Sequence, residues 1–201
     1  MPKRDPEHMQ AQKERILRAA IQCIAATGPE RMSVPDICRR AGLSTGALYV
    51  HFRNKGEIVE SAMRYGNAME LLLPQTWHGI VESLTAMEGH LGFDIATIAR
   101  FRLHMHAAAA APGELHDALA QMLNESIEIL ADKLEVLSRR KDITLRMAPM
   151  EAATAIAAFL DGMLWLALST DRPLNQVNAN LKQGLACFVE PPEVQSARPV
   201  T

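Results

Sequence analysis

The chain has 201 residues, 48% of them apolar and 22% charged, enough to bury a sizeable core and to hold one small domain beside a larger one. Its net charge of −2 hides an asymmetry: residues 1–55 carry ten Lys or Arg against five Asp or Glu, a balance of +5, and residues 56–201 carry eleven against eighteen, a balance of −7. No uninterrupted apolar stretch has the length of a membrane span, residues 1–12 are too polar for a signal peptide, and Cys23, Cys38 and Cys187 are too few and too scattered for a disulfide framework, so a cytoplasmic protein with reduced, mostly buried thiols is expected.

The first residues, Pro2, Lys3 and Arg4, read either as an arm that reaches phosphates or as a solvated terminus. A helix is predicted over residues 7–27, with Ile16, Leu17, Ala20, Ile21 and Ile24 on its core face and Gly28-Pro29 as its stop. Residues 33–55 then read SVPDICRRAGLSTGALYVHFRNK. Ser33 is an N-cap, Pro35 falls in the first turn where its missing N–H costs nothing, and Asp36 suits the helix dipole. Ile37 and Ala41 form the apolar stripe, and Gly42 can take the left-handed conformation that ends the helix.

Ser44 is a second N-cap and opens a helix through His51. Two helices joined by a short glycine turn make a helix-turn-helix. Leu48 and Phe52 point inward, leaving Thr45, Gly46, Ala47, Tyr49 and Val50 on open faces. Gly46 and Ala47 would let the backbone lie near base edges, Thr45 can hydrogen-bond a base or phosphate, Val50 can touch a thymine methyl, and Tyr49 and His51 offer polar tips to phosphates. Asn54 and Glu57 form a start similar to a capping box, so a helix N-terminus with Lys55 beside it is aimed where a phosphate could sit. The simpler alternative is a helical hairpin with no ligand. The basic balance of residues 1–55 is the electrostatic footprint of a phosphate-docking head.

Over residues 12–60 the chain resembles the TetR family of bacterial transcriptional regulators: RILRAAIQCIAATG as the first helix, then the helix-turn-helix, then ALYVHFRNKGEIV leading into the fourth helix. Cys23 and Ile24 stand where an aromatic residue is common in the family. The resemblance implies base or groove contacts from Thr45, Gly46, Ala47 and Val50 and phosphate contacts from Ser33, Tyr49, His51 and Lys55. It also implies an all-helical second domain with a pocket between its helices.

The fourth helix starts at Lys55 and carries Ile58, Val59, Ala62, Met63, Met69 and Leu72 before Pro74 breaks it. Belonging to both regions, it is the expected transmission element. Further helices are predicted at about 75–88, 94–111, 114–140, 150–169 and 173–189, with a break at Pro112-Gly113, a polar connection over 138–149 and a loose tail over 191–201. The fold class is therefore all-α: an N-terminal helix-turn-helix DNA-binding domain (1–54), a helical bundle for ligand binding and dimerisation (55–190), and the tail.

The acidic body holds seven of the nine aromatic residues and eight of the eleven Met, suited either to an adaptable apolar pocket or to ordinary core. Trp77, Phe101, His104, Met105, Phe159 and Met163 on the middle helices are the pocket candidates, with His104 as polar handle. Ala153, Ala157, Leu164 and Leu168 make one apolar stripe on the penultimate helix, and Leu174, Val177, Leu181, Leu185 and Phe188 make a second on the last. They suit either a four-helix interface with a twofold mate or an intramolecular hairpin.

Neither Cys-x-x-Cys, His-Glu-x-x-His nor a phosphate-binding glycine motif occurs, so no cofactor, metal or catalytic constellation is expected. A metal-sensing body using His78, His90, His104, His106 or His116 is the minor alternative. The expected function is ligand-responsive regulation, most simply repression: a homodimer on a near-palindromic double-stranded DNA operator, released by a small apolar or amphipathic effector. The alternatives are a dimeric DNA-binding regulator without small-molecule input, and a helical ligand-binding protein or enzyme lacking DNA recognition.

Overall fold

Gly28 is the hinge of the first helix. The computed structural model describes residues 6–67, 73–85, 92–170 and 174–190. Helix α1 spans Pro6–Arg31, but Gly28 sits at φ 81°, ψ 162°, so the regular helix stops there and residues 29–31 follow across a kink. That left-handed backbone is open to glycine without strain. Pro2, Lys3, Arg4, Met69, Leu72, His90 and the tail 191–201 lie outside the described residues.

Helix α2, Val34–Ala41, starts and stops on the expected signals: the Asp36 N–H donates to Ser33 Oγ at 3.2 Å, and Gly42 at φ 62° turns its N–H back to the carbonyls of Cys38 and Arg39. Helix α3, Thr45–Leu48, is three residues shorter than predicted. The Tyr49 N–H still reaches Thr45 O at 3.1 Å, but His51 N–H bonds Leu48 O at 2.9 Å, the tight i→i−3 spacing that closes the element in a turn. Gly46 and the β-branched Val50 are poor helix formers and do not oppose that ending.

The remaining helices are α4, Lys55–Asn67; α5, Trp77–Thr85; α6, Ile95–Ala108; α7, Glu114–Arg139; α8, Pro149–Ser169; and α9, Leu174–Leu185. Asp94 caps α6 by accepting the Thr97 N–H at 2.8 Å. Between α7 and α8, in the polar connection, Thr144–Leu145 (β1) pairs antiparallel with Val189–Glu190 (β2), and the Arg146–Glu190 ion pair closes over it. This short ribbon folds the chain after α9 back onto the end of α7.

Two large cores organise the helices. One joins α1 to α4 and continues into Phe101 and Met105 of α6 and Leu119 and Met122 of α7, so head and body share it. The other is built from Ile80, the second half of α7, α8, α9 and Val189. With mean hydropathy 1.6, helix α8 is long and apolar enough to cross a membrane by length and composition alone. Glu151 and Asp161 break its apolar run in the sequence, and Ala152, Ala153, Ile156, Leu160, Leu164 and Ala167 are buried within the chain. Of the cysteines, Cys23 and Cys38 are buried but Cys187 is exposed. Burial pushes the Cys23 thiol up against the opposing pull of Arg40, which makes it a poor nucleophile.

Candidate nucleic-acid interface and effector cavities

The reading face of the head is set by two buried anchors. Leu48 and Phe52 are 0% and 2% exposed, and they orient the short helix so that Tyr49 and Val50, 50% and 49% exposed, stand in solvent. Thr45 and Gly46 are exposed beside them, and Ala47 is half-buried on the flank. Ser44 Oγ accepts the Ala47 N–H at 3.2 Å, so this hydroxyl holds the helix start. A Cβ on Gly46 would find only Ser44 Oγ, at 4.0 Å. Internal packing does not demand this glycine, whereas close approach of an external surface would.

The polar residues expected to meet phosphates divide into two kinds. Tyr49 is open to solvent. The others are fastened to the head itself: Ser33 both accepts from the Asp36 N–H and donates to the Asp36 carboxylate, His51 Nε2 lies 3.3 Å from Gln12 Oε1 on α1, and Lys55 Nζ donates to the Glu30 carbonyl at 2.7 Å. The Ser33 hydrogen bond, then the Arg39 charge, hold the Asp36 carboxyl below the usual range. Asn54 Oδ1 accepts the Glu57 N–H at 2.9 Å while Glu57 Oε2 accepts the Arg53 N–H at 2.6 Å, a reciprocal cap that positions the N-terminus of α4 next to Lys55.

In the body, the six pocket candidates are not brought together. Phe101 and Met105 line a small cavity of about 10 Å³ with Met63, Leu119 and Met122. Trp77, Phe159 and Met163 pack against the second core, where Phe159 meets Phe188 edge-on with ring centroids 5.8 Å apart. His104 is no polar handle: its Nδ1 lies 3.2 Å from the position of a Cβ on Gly28, so it packs the hinge of α1. Phe101 and Met105 of α6 pack in the core shared with α1 and α4, and Arg102 and His106, which line the same small cavity, reach Asp161 of α8.

That second face carries the polar group which sequence reasoning missed. Arg102 Nε and Nη2 lie 2.9 and 2.8 Å from Asp161 Oδ1, and His106 Nε2 lies 3.4 Å from Asp161 Oδ2. Burial raises the Asp161 pKa, but the His106 hydrogen bond and the Arg102 charge outweigh it and hold the carboxyl below the ordinary range. Arg102 and Asp161 line both a slot of about 40 Å³, otherwise walled by residues such as Leu73, Leu84, Leu123, Ile127 and Leu160, and a groove of about 290 Å³ with Leu103, His106 and Trp165. The signal available in the sequence was a lone acid inside an apolar helix.

The first apolar stripe of α8 and that of α9 are mostly consumed inside the chain. Ala153, Leu164, Val177, Leu181 and Leu185 are buried, and Ala157, Leu168 and Phe188 are half-buried; of Leu174 only the backbone is described. These stripes build the hairpin and its packing on α7, the intramolecular arrangement of the two that their spacing allows. What α8 leaves outward is the i, i+4 face of Met150, Thr154, Ala158 and Gly162, ending in Trp165, which is 56% exposed. Among the described residues no three His, Cys, Asp or Glu side chains gather at metal-binding distances. His116 Nδ1 instead lies 2.8 Å from the Ala109 carbonyl.

A short helix with small open residues, locked by a buried Leu–Phe pair against a firmly capped partner, defines a helix-turn-helix DNA-binding domain. Residues 16–62 match the family model of the bacterial regulatory proteins, tetR family. Over this head the chain is similar to the TetR family of transcriptional regulators. It is 26% identical over 174 residues to the HTH-type transcriptional regulator BetI of Escherichia coli, covering 84% of this chain and 88% of that one. Over 63 residues it is 35% identical to the HTH-type transcriptional regulator TtgR of Pseudomonas putida, covering 31% and 30% of the two chains. Among solved structures it is similar to a transcriptional regulator from Saccharomonospora viridis in complex with choline, with TM-score 0.67, 18% identity and coverage of 90% and 99%. SmeT, the repressor of the Stenotrophomonas maltophilia multidrug efflux pump SmeDEF, superposes with TM-score 0.61, 23% identity and coverage of 90% and 92%.

Proposed function

We propose that the protein is a ligand-responsive repressor of the cytoplasm, binding a near-palindromic operator as a homodimer and leaving it when a small amphipathic effector enters the body. The observation that carries the DNA reading is the exposed face of Thr45, Gly46, Tyr49 and Val50 held by buried Leu48 and Phe52. In this reading Thr45, Gly46, Ala47 and Val50 meet bases, and Tyr49, with Lys55 at the N-terminus of α4, meets phosphates. Ser33, Ser44 and His51 hold the head in shape for that contact. Two heads related by a twofold axis would meet half-sites about one DNA turn, roughly 34 to 36 Å, or a multiple of it apart.

The mate is assigned to the outward face of α8, from Met150 through Ala158 and Gly162 to Trp165, because small residues in i, i+4 register let a second helix approach closely. Effector binding belongs to the cavities around Arg102. Among the described residues the slot is walled by aliphatic side chains with Ser126, Arg102 and Asp161 and holds no aromatic ring, whereas Trp165 lines the groove. The slot therefore offers no ring face to a quaternary ammonium group. Helix α6 joins the sites, since its Phe101 ring lies 3.1 Å from a Cβ position on Gly66 of α4 and its His104 packs Gly28 of α1. Transmission therefore runs through α6 as well as α4.

The test is salt-dependent binding of the full chain to an inverted repeat in its own promoter, followed by release with candidate effectors. Binding that is unaffected by Tyr49→Ala, or a chain that sediments as a monomer on the operator, would reject the proposal.

A further inference from the structure

We infer that the Arg102–Asp161–His106 cluster is a carboxylate-recognition point and that the effector is a monocarboxylate with an aliphatic body. This rests on the reading of the body as an effector-binding domain and names the chemistry of that site.

Three observations converge. The first is placement: the ion pair joins α6 to α8 and forms the wall shared by slot and groove, so a ligand in the slot meets mainly Leu, Ile and Ala side chains with Ser126, a ligand in the groove meets Leu and Ala side chains with His106 and Trp165, and among the described residues Arg102 and Asp161 are the charged groups common to both. The second is sign. Among the described residues the cluster joins one permanent cation, one carboxylate and one histidine, so these groups carry no net negative charge. A monoanion therefore meets no excess of negative charge there, whereas a cationic head competes with Arg102 for Asp161 in a partly dehydrated site.

The third is geometry. Arg102 Nε and Nη2 both converge on the single oxygen Oδ1, and Oδ2 turns to His106. This is not the two-by-two fork that guanidinium and carboxylate adopt when each oxygen faces its own nitrogen. An incoming carboxylate that supplies two oxygens can take that fork while Asp161 keeps His106. The side chains are only partly enclosed, at 23% and 30% exposure, so the exchange does not strand a fully buried charge.

The experiment is calorimetric titration of the full-length protein with octanoate, octan-1-ol and octyltrimethylammonium, which share a chain length and differ in head charge. Octanoate is expected to bind at least about tenfold more tightly than either other probe, the difference a charge-assisted hydrogen bond makes. The double variant Arg102→Met/Asp161→Leu, which replaces the pair by apolar side chains, should lose that preference; Arg102→Gln, keeping a donor without the charge, should lose it too if the double variant does not fold.

Equal binding of alcohol and carboxylate, preference for the ammonium probe, no binding of any probe, or a carboxylate preference that survives in a folded variant would each overturn the inference. The DNA reading is scored separately. Octanoate bound with operator retained supports the carboxylate point and counts against effector release, whereas operator binding without octanoate binding counts against the carboxylate point alone.

Discussion

The head and the body place their polar groups by different rules. In the head, the side chains that cap the helices bond to neighbours three residues away: Ser33 to Asp36, Ser44 to Ala47, Asn54 to Glu57. Those bonds fix where helices begin and leave the reading face to be defined by whatever Leu48 and Phe52 turn outward. In the body the decisive contact, Arg102 to Asp161, spans 59 residues of chain. A locally specified surface can present a rigid shape to DNA. A cavity wall held by one long-range ion pair can respond to a ligand, because its two halves sit on different helices.

The strongest test of this contrast removes an anchor. Phe52→Ala should cost about 3 to 5 kcal/mol, the range for truncating a buried aromatic. Because the head's core continues into Phe101, Met105, Leu119 and Met122, the loss should appear as an earlier single transition in denaturant rather than as separate melting of the head. A distinct first transition with an unchanged second would show that head and body are energetically independent.

Next in size are the contacts with DNA. Thr45 or Val50 substitutions should change base preference at particular operator positions by about 1 to 3 kcal/mol. Tyr49→Ala and Lys55→Ala should weaken all operators alike, each lowering the salt dependence by about one counterion where a charged contact is lost, so the effect on slope should be clear for Lys55 and small for Tyr49. Dimer mass should be unchanged. Uniform weakening by the Thr45 and Val50 variants would deny them a base-reading role.

The ion pair predicts an acid limb. The Asp161 carboxyl is held below its unfolded value of about 3.9, so its contribution to stability is present above that pH and is lost as pH falls through the folded value. Thermal melts from pH 7 to pH 3 should show wild type above Asp161→Asn at neutral pH, with the gap closing on acidification. A gap that stays constant to pH 3 would mean that the carboxylate charge is not what stabilises the pair.

The smallest effects compare two glycines. At Gly162 a Cβ meets no other part of its own chain, so Gly162→Ala should stabilise the dissociated protomer by about 0.5 to 1 kcal/mol, seen as a rise of a few degrees in Tm under conditions where the dimer is dissociated. At Gly184 a Cβ would lie 2.1 Å from Phe159 Cζ, so Gly184→Ala should destabilise, by about 1 to 3 kcal/mol for an overpacked contact. Equal effects at the two sites would contradict the packing of α9 on Phe159.

The head was largely legible in its sequence because its determinants are local. The caps, the αL glycine and the inward pair Leu48 and Phe52 follow from spacing along a single helix. What escaped was engagement across elements: Lys55 is tied to the Glu30 carbonyl and His51 faces Gln12, 25 and 39 residues away. In the body, helix positions were legible and helix faces were not. Periodicity shows that Leu164, Val177 and Leu181 form stripes, but a stripe is as apolar against a neighbour in the same chain as against a mate, and here the chain's own core takes them.

By itself the sequence determined the helices, the glycine stops, the basic head and the outward placement of Thr45, Gly46, Tyr49 and Val50, since each depends on dihedral preference, charge or a period of 3.6 residues. Only the tertiary structure decided that α6 turns Phe101 and His104 to the head and Arg102 to α8, and that the polar point of the body is Arg102 with Asp161. Which of several apolar helix faces pair is settled by the packing of all of them at once, and no single segment carries that information.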